Sequence, residues 1–213
     1  MQSTSRAQLD SDEGDEILAQ CPVFAAAPGE PHFRASFPGV ELLAVEQGFV
    51  VLRSSPDGLA RSIVTCEAGP GRVLLPPTDE EVLFALVPAR LIGIDRDARD
   101  RLLAVPGAAR TLLELIAGTL AQKQEALGNF AHTRHVERVR RKLLQLAESY
   151  GRVVQDGIRI DFPVSHTLLA DMIGSSRETV TRALDELQRT GFVARQGHTY
   201  RLLVSPDRVL EPM

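Results

Sequence analysis

The chain has 213 residues, 44% of them hydrophobic and 24% charged, and its formal net charge is −4. This composition is that of a globular protein with room for one large domain or two modest ones. No apolar run approaches the ~20 residues that span a bilayer, and the acidic start resembles neither a signal peptide nor an anchor. We therefore expect no membrane contact and a cytoplasmic location. The two cysteines, Cys21 and Cys66, are too few for a disulfide framework or a cysteine metal cluster.

Charge is divided unevenly along the chain. Residues 1–131 contain 11 Lys+Arg and 18 Asp+Glu, a net of −7, whereas residues 132–213 contain 13 and 10, a net of +3. An acidic front half and a basic back half are expected when only one domain meets phosphate. The division favours a nucleic-acid contact in the C-terminal part.

The front half reads mainly as β-structure. Residues 1–15 have little apolar content and are predicted to be disordered, and a short helix follows in "EILAQCPVF". Between Phe33 and Ile94, turn residues separate the β-rich runs "VELLAV", "GFVVLR", "RSIVTC", "RVLLP", "EVLFALV" and "RLIGI", and "SPDG" is a hairpin turn. Short strands at this spacing predict a compact sandwich or barrel.

A long helix is predicted from Ala108 to Asn129. Its apolar residues recur at spacings of three and four, which is typical of the seam of a two-stranded coiled coil. The alternative is a helix that packs only on its own barrel. The residues predicted to line a dimer interface are Leu112, Ile116, Leu120, Lys123, Leu127 and Phe130.

The back half predicts a winged helix-turn-helix. A helix over "HVERVRRKLLQLAESYG" and a strand in "RIDFPV" precede two helices, "SHTLLADMIG" and "RETVTRALDELQRTG", and a hairpin around Gly197. Gly174 lets the first of the paired helices end with positive φ, and Ser176 caps the second. Two helices joined by "IGSS" and followed by a β-hairpin form this motif.

The second of the paired helices has two different faces. Val180, Ala183, Leu184 and Leu187 fall on one side at helical spacing. Arg177, Glu178 and Arg182 fall on the other. In the major groove an arginine fork binds both acceptors of guanine, and a glutamate accepts from the amino group of cytosine. We predict that these three charged side chains read base edges.

The back half also resembles a known family. The stretch "VSHTLLADMIGSSRETVTRALDELQRTGFVARQGHTYRLLV" resembles, without a gap, the winged-helix domain of the catabolite activator protein and fumarate–nitrate regulator superfamily, and the resemblance continues upstream through "LGNFAHTRHVERVRRKLLQLA". The front half resembles that family's cupin-like β-roll in "LAVEQGFVVL" and "RLIGIDRDARDRLLAVPG".

The resemblance implies an α+β fold with four parts. These are an acidic tail and lead-in over residues 1–20, a cupin-like β-roll of the cyclic-nucleotide-binding type over 21–107, a dimerisation helix over 108–131, and a winged helix-turn-helix DNA-binding domain over 132–213.

The resemblance implies a homodimeric, sequence-specific transcription regulator that binds double-stranded DNA and activates through RNA polymerase, although repression by site occlusion uses the same binding. The charged trio matches the base-reading residues of the catabolite activator branch, which implies inverted half-sites like TGTGA one helical turn apart. Each further residue expected at the DNA backbone could instead be a cap or an exposed side chain. These residues are Ser165, His166, Ser176, Thr179, Thr181 and His198.

The effector motifs of the family are altered. Cyclic-nucleotide members carry a Gly-Glu segment and an Arg-Ser pair, and "GPGRVLLPPTDEEVLFALVP" has Glu80 and Glu81 beside Asp79 in place of that pair. The family's Thr-Ser pair on the long helix is matched by Lys123 and Gln124. Because three carboxylates repel a phosphate, we predict no cyclic-nucleotide binding.

The sequence leaves open whether the protein responds to another effector. A haem sensor would use Cys21 or His32, whereas an iron–sulfur sensor lacks its cysteines. His132 and His135 have metal-compatible spacing but lie at the family's hinge, so we interpret them as structural and predict no metal. The remaining alternatives are an unidentified small ligand in the roll or no effector, and the altered pocket motifs favour the latter. A polar, ligand-sized cavity between the roll and the long helix would indicate a sensor, and a packed apolar space a constitutive binder.

Two other classes of protein compete with a regulator. An enzyme on a cupin-like barrel commonly needs several histidines and a carboxylate for a metal, and residues 1–131 contain only His32. A partner-docking module without DNA binding is disfavoured by "RETVTR" on a helix-turn-helix. We therefore predict that the chain is not an enzyme.

Overall fold

The computed structural model describes residues 11–55, 62–129, 134–197 and 199–203, except for the side chains of residues 122 and 125–129. The chain divides into two compact units, residues 1–124 and 125–213. Of the predicted "SPDG" turn, only the first residue lies within the described part of the chain. His132 lies outside it.

The first unit is a β-roll with flanking helices. Its helices are α1 (Asp12–Gln20), α2 (Arg96–Ala104) and the greater part of α3 (Pro106–Asn129), and a 3-10 turn covers Arg34–Ser36. Its strands are β1 (Val23–Ala26), β2 (Pro31–His32), β3 (Val40–Ser54), β4 (Ile63–Ala68), β5 (Val73–Leu74) and β6 (Glu81–Asp95). The antiparallel sheet has the order β1-β6-β3-β4, with β2 on β6 and β5 on β3. The predicted α+β class and β-roll are confirmed.

Two long bent strands replace four short predicted ones. The runs "VELLAV" and "GFVVLR" are one strand, β3, and "EVLFALV" and "RLIGI" are one strand, β6. The predicted break at Gly48 is a bulge, because the pairing register shifts on both sides of Gln47 while the strand continues. Gly48 has φ +88°, and a Cβ there would lie 2.4 Å from the Pro88 carbonyl oxygen. The turn signal therefore marks a bend where two backbones meet closely.

Alternating residues of β3 feed two separate cores, because successive side chains on a strand point to opposite faces. Leu42 and Ala44 pack in the core that the helices cover, and Leu43 and Val45 pack inside the roll. The helix-covered core includes residues of all three helices. These residues are Ile17, Leu18, Ala98, Leu102, Ala108 and Leu112.

Helix α1 begins earlier than the sequence suggests. Disorder was predicted through residue 15, but the helix starts at Asp12, where the Ser11 hydroxyl accepts a hydrogen bond from Gly14 N at 2.9 Å. Ile17 and Leu18 are 4% exposed. The segment is therefore helical despite its acidic composition, because one face is buried and a serine caps its start. The carboxylates of the first turn also interact favourably with the helix N-terminus.

The second unit combines three helices with a four-stranded sheet. Its helices are α4 (His135–Tyr150), α5 (His166–Ile173) and α6 (Arg177–Arg189). Its strands, β7 (Gly151–Val154), β8 (Gly157–Ile160), β9 (Val193–Gln196) and β10 (Thr199–Leu202), are antiparallel in the order β7-β8-β10-β9. The strand predicted in "RIDFPV" is shorter, because β8 ends at Ile160 before Pro163, which cannot donate to a ladder. Strand β7 was not predicted.

In the described part of the chain, no single helix is long and apolar enough to cross a membrane. Helix α2 and the start of α3 meet the length and composition of a span only as a pair bent by 118°. Ala98, Leu102, Ala108 and Leu112 of this pair lie in the core of the first unit.

Candidate nucleic-acid interface

Helices α5 and α6 form the predicted helix-turn-helix. The Ser165 hydroxyl caps α5 by accepting from Leu168 N at 3.0 Å. Gly174 ends α5 with φ 62° and ψ 44°, as predicted. The Ser176 hydroxyl then accepts from Thr179 N at 3.2 Å and starts α6. The start of α5, its end and the start of α6 are thus each fixed by a serine cap or a glycine. Because these signals are local, the sequence alone could locate the helix ends.

Helix α6 buries one face completely and exposes the other. Val180 and Leu184 are 0% exposed, Ala183 is 2% and Leu187 is 4% exposed. Arg177, Glu178 and Arg182 are all exposed. A helix of 13 residues is about 20 Å long, and the major groove of B-DNA, about 12 Å wide, admits one.

Arg177 stands where the helix itself does not favour a cation. It is the first residue of α6, at the end where the peptide dipoles carry partial positive charge, which suits Glu178 and opposes an arginine. Helix stability therefore does not explain Arg177.

Four of the residues predicted at the DNA backbone make local hydrogen bonds. Ser165 and Ser176 are the helix caps, and Thr179 Oγ1 lies 2.9 Å from Ser176 Oγ. Thr181 Oγ1 donates to the Arg177 carbonyl at 2.9 Å.

The fifth, His166, contacts Thr181 from the first helix of the motif. Its Nδ1 lies 2.8 Å from Thr181 Oγ1, whose proton is committed to Arg177, so Nδ1 carries the proton and donates. His166 therefore links α5 to the exposed side of α6. His198 lies outside the described residues.

His135 is a contact that the sequence did not indicate. It is the first residue of α4, and its Nδ1 lies 3.1 Å from the hydroxyl of Ser175, which is 7% exposed. Ser175 N in turn donates to the Ala170 carbonyl at 2.9 Å. The beginning of α4 is thereby tied to the turn between α5 and α6.

The hairpin after α6 is the wing. Strands β9 and β10 pair from Val193↔Leu202 to Gln196↔Thr199, and Gly197 has φ 64°. The exposed Arg195 donates through Nε to the Gly197 carbonyl at 2.7 Å. Tyr200 is 1% exposed, and burial raises the pKa of its phenol, an effect that the charge of Arg195 partly offsets.

Helix α4 supports both α6 and the wing. The Arg140 guanidinium lies 5.0 Å from the centre of the Phe192 ring, at the start of the wing. Lys142 is 2% exposed, and its ammonium donates to Gln145 Oε1 at 2.9 Å. A buried ammonium needs such partners, and its position could not be recognised in the charged run "ERVRRK".

The residues predicted for the dimer interface fall into four groups. Leu112 is 2% exposed and packs on its own roll, so this one member corresponds to the alternative reading of the helix. Ile116 and Leu120 are 41% and 56% exposed, as is Leu113 at 62%. Lys123 is half-buried. Leu127 and Phe130 lie outside the described side chains.

The space between the roll and α3 is hollow. A cavity of about 770 Å³ is lined by both polar and apolar residues, and its charged members include Arg34, Asp79, Glu80 and Glu81. A second cavity of about 260 Å³ is lined mainly by apolar residues of the roll together with Ile116 and Leu120. The larger cavity, with its charged side chains and room for a small molecule, is closer to the space expected for a sensor than to the packed apolar space expected for a constitutive binder.

The two residues named for haem differ in their surroundings. Cys21 is 9% exposed in the helix-covered core and donates to the Ile17 carbonyl at 3.4 Å. Burial, and then the charge of Asp95, raises the pKa of its thiol, which disfavours a thiolate ligand. His32 is partly exposed with its ring beside Phe37. Among the described residues, no group of three or more His, Cys, Asp or Glu side chains could hold a metal ion.

Comparison with known proteins agrees with this geometry. A sequence model of the Crp-like helix-turn-helix domain matches residues 137–208. The CRP-like cAMP-activated global transcriptional regulator of Mycobacterium tuberculosis is 27% identical over 209 residues, which cover 86% of this chain and 92% of the relative. The global nitrogen regulator of Synechococcus elongatus is 31% identical over 111 residues, 52% of this chain and 50% of the relative.

The solved structure of a CooA variant from Carboxydothermus hydrogenoformans shares the fold. It covers 98% of this chain and 95% of its own with a TM-score of 0.75 at 16% identity. A β-roll with a winged helix-turn-helix that exposes a charged helix face defines a DNA-binding transcription regulator, not an enzyme. Residues 137–208 thus match the Crp-like helix-turn-helix domain, and the chain is similar over most of its length to a CRP-like transcription regulator.

Proposed function

We propose that this protein is a homodimeric activator in the cytoplasm that reads TGTGA-like inverted half-sites and does not respond to cyclic nucleotides. The observation that carries the proposal is the asymmetry of α6. Its apolar face is at most 4% exposed, whereas Arg177, Glu178 and Arg182 are exposed together on the other side.

The chemistry of the three side chains matches a G·C-containing half-site. Each arginine fork can bind O6 and N7 of a guanine, and the glutamate can accept from N4 of a cytosine. Glu178 carries most of the distinction between base reading and attraction to phosphate, because a carboxylate near DNA opposes binding unless a donor meets it. Each good bidentate contact discriminates by about 1–3 kcal/mol.

Dimerisation is supported by the exposed apolar side chains of α3. Ile116 and Leu120, a helical turn apart, are 41% and 56% exposed, and such a stripe is covered when two helices pack along a seam. Two copies related by a twofold axis place their α6 helices in successive major grooves, which requires inverted half-sites about 34–36 Å apart. Contact with RNA polymerase at such a site would make the dimer an activator.

The acidic residues that line the larger cavity support the proposal that the protein does not respond to cyclic nucleotides. The Mycobacterium tuberculosis relative is described as cAMP-activated. In this chain Asp79, Glu80 and Glu81 line the cavity, and Glu81 accepts hydrogen bonds from Thr65 Oγ1 at 2.5 Å and Thr78 N at 3.2 Å. A cyclic phosphate placed there meets like charge.

A mobility-shift titration tests the proposal. The full chain is titrated against a duplex with inverted TGTGA half-sites and against a scrambled duplex at several salt concentrations, with and without cyclic AMP. We expect a preference for the first duplex that persists as salt rises, because base contacts are less salt-dependent than phosphate contacts. Equal affinity for both duplexes would contradict base reading, and micromolar cyclic AMP binding would contradict the effector statement.

Arg182→Ala adds a sharper test of the same proposal. It should relax the preference at one guanine of each half-site while other positions keep theirs. A uniform loss on every sequence would mean that Arg182 contacts phosphate.

A second candidate is a regulator of the same family that responds to a small ligand or to haem. The observation that favours it is the hollow space between the roll and α3, since a constitutive binder has no need of such a space.

A further inference from the structure

One face of the sheet in the second unit carries three arginines side by side. Arg152 on β7 pairs with Arg159 on β8, and Arg159 pairs with Arg201 on β10. Residues that pair in this way point to the same face of a sheet, about 4.8 Å apart from strand to strand. The residues on either side of Arg159, Ile158 and Ile160, point to the other face and are buried. The three arginines, which we call the arginine row, are therefore an exposed basic stripe.

The stability of the sheet does not explain the arginine row. Like charges that lie directly opposite one another on antiparallel strands destabilise a sheet. Two carboxylates reduce this repulsion, because Asp161 contacts both Arg152 and Arg159, and Asp156 contacts Arg201. Within the described part of the chain, three arginines thus share two carboxylates. The row keeps positive charge that the sheet does not neutralise.

The carboxylates hold the arginines so that binding atoms stay available. Asp161 meets Arg152 and Arg159 through their Nε atoms, at 3.4 Å for Arg152. The terminal nitrogens of these two guanidiniums make no hydrogen bond to any residue that the structure describes. Arg201 uses Nη1, which lies 2.8 and 2.7 Å from the two oxygens of Asp156. Guanidiniums anchored in this way are prepared to bind a phosphate through two parallel hydrogen bonds, because less side-chain freedom is lost on binding.

A cleft lies beside two members of the row. Its volume is about 510 Å³, and Arg159 and Arg201 line it. This volume falls within the range of about 300–1,000 Å³ of small-molecule sites. Among the described residues, Val154 and Ala194 are its only aliphatic side chains, whereas the centre of a protein–protein interface is mainly apolar or aromatic. The lining therefore favours a small charged ligand over a protein partner.

The arginine row is separate from the charged face of α6. Helix α4 packs against β7, β8 and β10, and α6 packs against β9. Because the row is exposed, these helices lie on the other face of the sheet, where Ile158 and Ile160 are buried. The row thus presents a second basic surface in this unit.

We propose that the arginine row binds the diphosphate group of a small ligand, with one phosphoryl group on Arg159 and the other on Arg201. The two guanidiniums come from adjacent strands about 4.8 Å apart, so two phosphoryl groups joined through one oxygen can each meet one of them. The diphosphate is either inorganic or part of a nucleotide, because both sources present the same group. This site goes beyond DNA reading and does not depend on which bases α6 contacts.

The binding test uses the full chain, isothermal titration calorimetry and inorganic pyrophosphate without added metal. We expect saturable binding at one site per chain. Orthophosphate should bind about 10- to 100-fold more weakly, because it meets one guanidinium instead of two. ADP separates the two sources of the diphosphate. Affinity equal to that of pyrophosphate supports recognition of the diphosphate alone, and higher affinity supports a nucleotide as the ligand.

Arg159→Lys and Arg201→Lys keep the charge and remove the planar fork. Each should weaken pyrophosphate binding about 2- to 10-fold, because one of two parallel hydrogen bonds is lost. Arg189→Lys makes the same change at an exposed arginine at the end of α6 and should leave pyrophosphate binding unchanged. Arg182→Ala, on the charged face of α6, should also leave it unchanged. Unfolding of each variant without ligand should occur at the wild-type Tm, which shows that the fold is kept.

Several results would overturn the proposal. They are absence of saturable pyrophosphate binding, orthophosphate binding as tight as that of pyrophosphate, and full binding by both lysine variants. Loss of binding in Arg182→Ala would place the anion on α6, and tighter binding of poly-glutamate would assign the row to an acidic protein segment. Calorimetry needs no DNA, so each of these results leaves the reading of TGTGA sites intact. Equal affinity for matched and scrambled duplexes would likewise leave the calorimetric result intact.

Discussion

His135 and Ser175 form a hydrogen bond, Nδ1 to Oγ at 3.1 Å, between the first residue of α4 and the residue that precedes the Ser176 cap of α6. The two side chains are 40 residues apart in the chain. Ser175 is nearly buried, and its backbone is fixed to Ala170. The start of α4 therefore helps to set the position of α6.

Removing this bond should weaken DNA binding without changing sequence preference. We expect His135→Ala and Ser175→Ala each to reduce affinity about 2- to 10-fold on every duplex, the range of one net hydrogen bond. The reason is that α6 loses part of its positioning while its base contacts remain. Fluorescence anisotropy with matched and scrambled duplexes measures both quantities.

The double variant is the control for this contact. If the two residues act through one bond, the double variant should lose little more than either single variant. Fully additive losses would show that they act independently.

Glu178→Ala should separate base reading from charge. Removing the carboxylate lowers repulsion from phosphate, so binding to scrambled DNA should tighten slightly, while discrimination at the cytosine position should fall by about 1–3 kcal/mol. Glu186→Ala removes the same charge from an exposed position two turns further along α6 and should leave discrimination unchanged. Competition titrations with single-base variants of the half-site provide the measurement, and an unchanged cytosine preference would rule out the assigned contact.

Tyr200→Phe should not destabilise the winged unit at neutral pH. The phenol oxygen is buried and has no hydrogen-bond partner among the described residues, so deleting it removes a polar group whose burial costs about 1–3 kcal/mol. Thermal unfolding should show an equal or higher Tm than wild type. Tyr200→Ala, which also empties the site, should cost about 3–5 kcal/mol.

The same residue predicts an alkaline pH dependence. The pKa of Tyr200 is raised above 10.0 in the folded state by burial, so the folded protein holds its proton where the unfolded chain releases it. This contribution is fully present below pH 10 and is lost as the pH rises through the folded-state pKa. Wild type should therefore lose stability above about pH 10 more steeply than Tyr200→Phe, and parallel curves would contradict the effect of burial.

Ile116→Asp combined with Leu120→Asp should shift the protein from dimer to monomer. The two side chains are exposed in the single chain, so the roll itself tolerates the change, but a carboxylate in a covered seam is costly. Leu103→Asp alters a similarly exposed leucine on α2, 46% exposed, and should keep the dimer. Sedimentation velocity separates the two states, and a dimeric double variant would place the interface elsewhere.

Helix ends and helix faces, which depend on residues close together in the chain, could be predicted from the sequence. Contacts between distant parts of the chain could not. Gly174 and Ser176 were recognised because a left-handed glycine and a capping serine act within a few residues. The two faces of α6 follow from helical periodicity alone. The His135–Ser175 bond joins distant parts of the chain, so no pattern within either segment could indicate it.

Periodicity also could not choose between two partners for α3. Leu112 and Ile116 both fit a seam, yet Leu112 is buried against the roll and Ile116 remains exposed. The difference depends on where α2 places the start of α3. For the same reason the hollow beside Lys123 was not predictable, since a space is a property of surfaces brought together by the fold.

The bulge at Gly48 has a consequence for how this sequence can vary. A Cβ atom at position 48 would lie only 2.4 Å from the Pro88 carbonyl oxygen, so the backbone there leaves no room for a side chain. The left-handed backbone at Gly174, by contrast, is of a kind that asparagine also adopts. Saturation mutagenesis with selection for promoter binding should thus return asparagine as a survivor at codon 174 and glycine alone at codon 48.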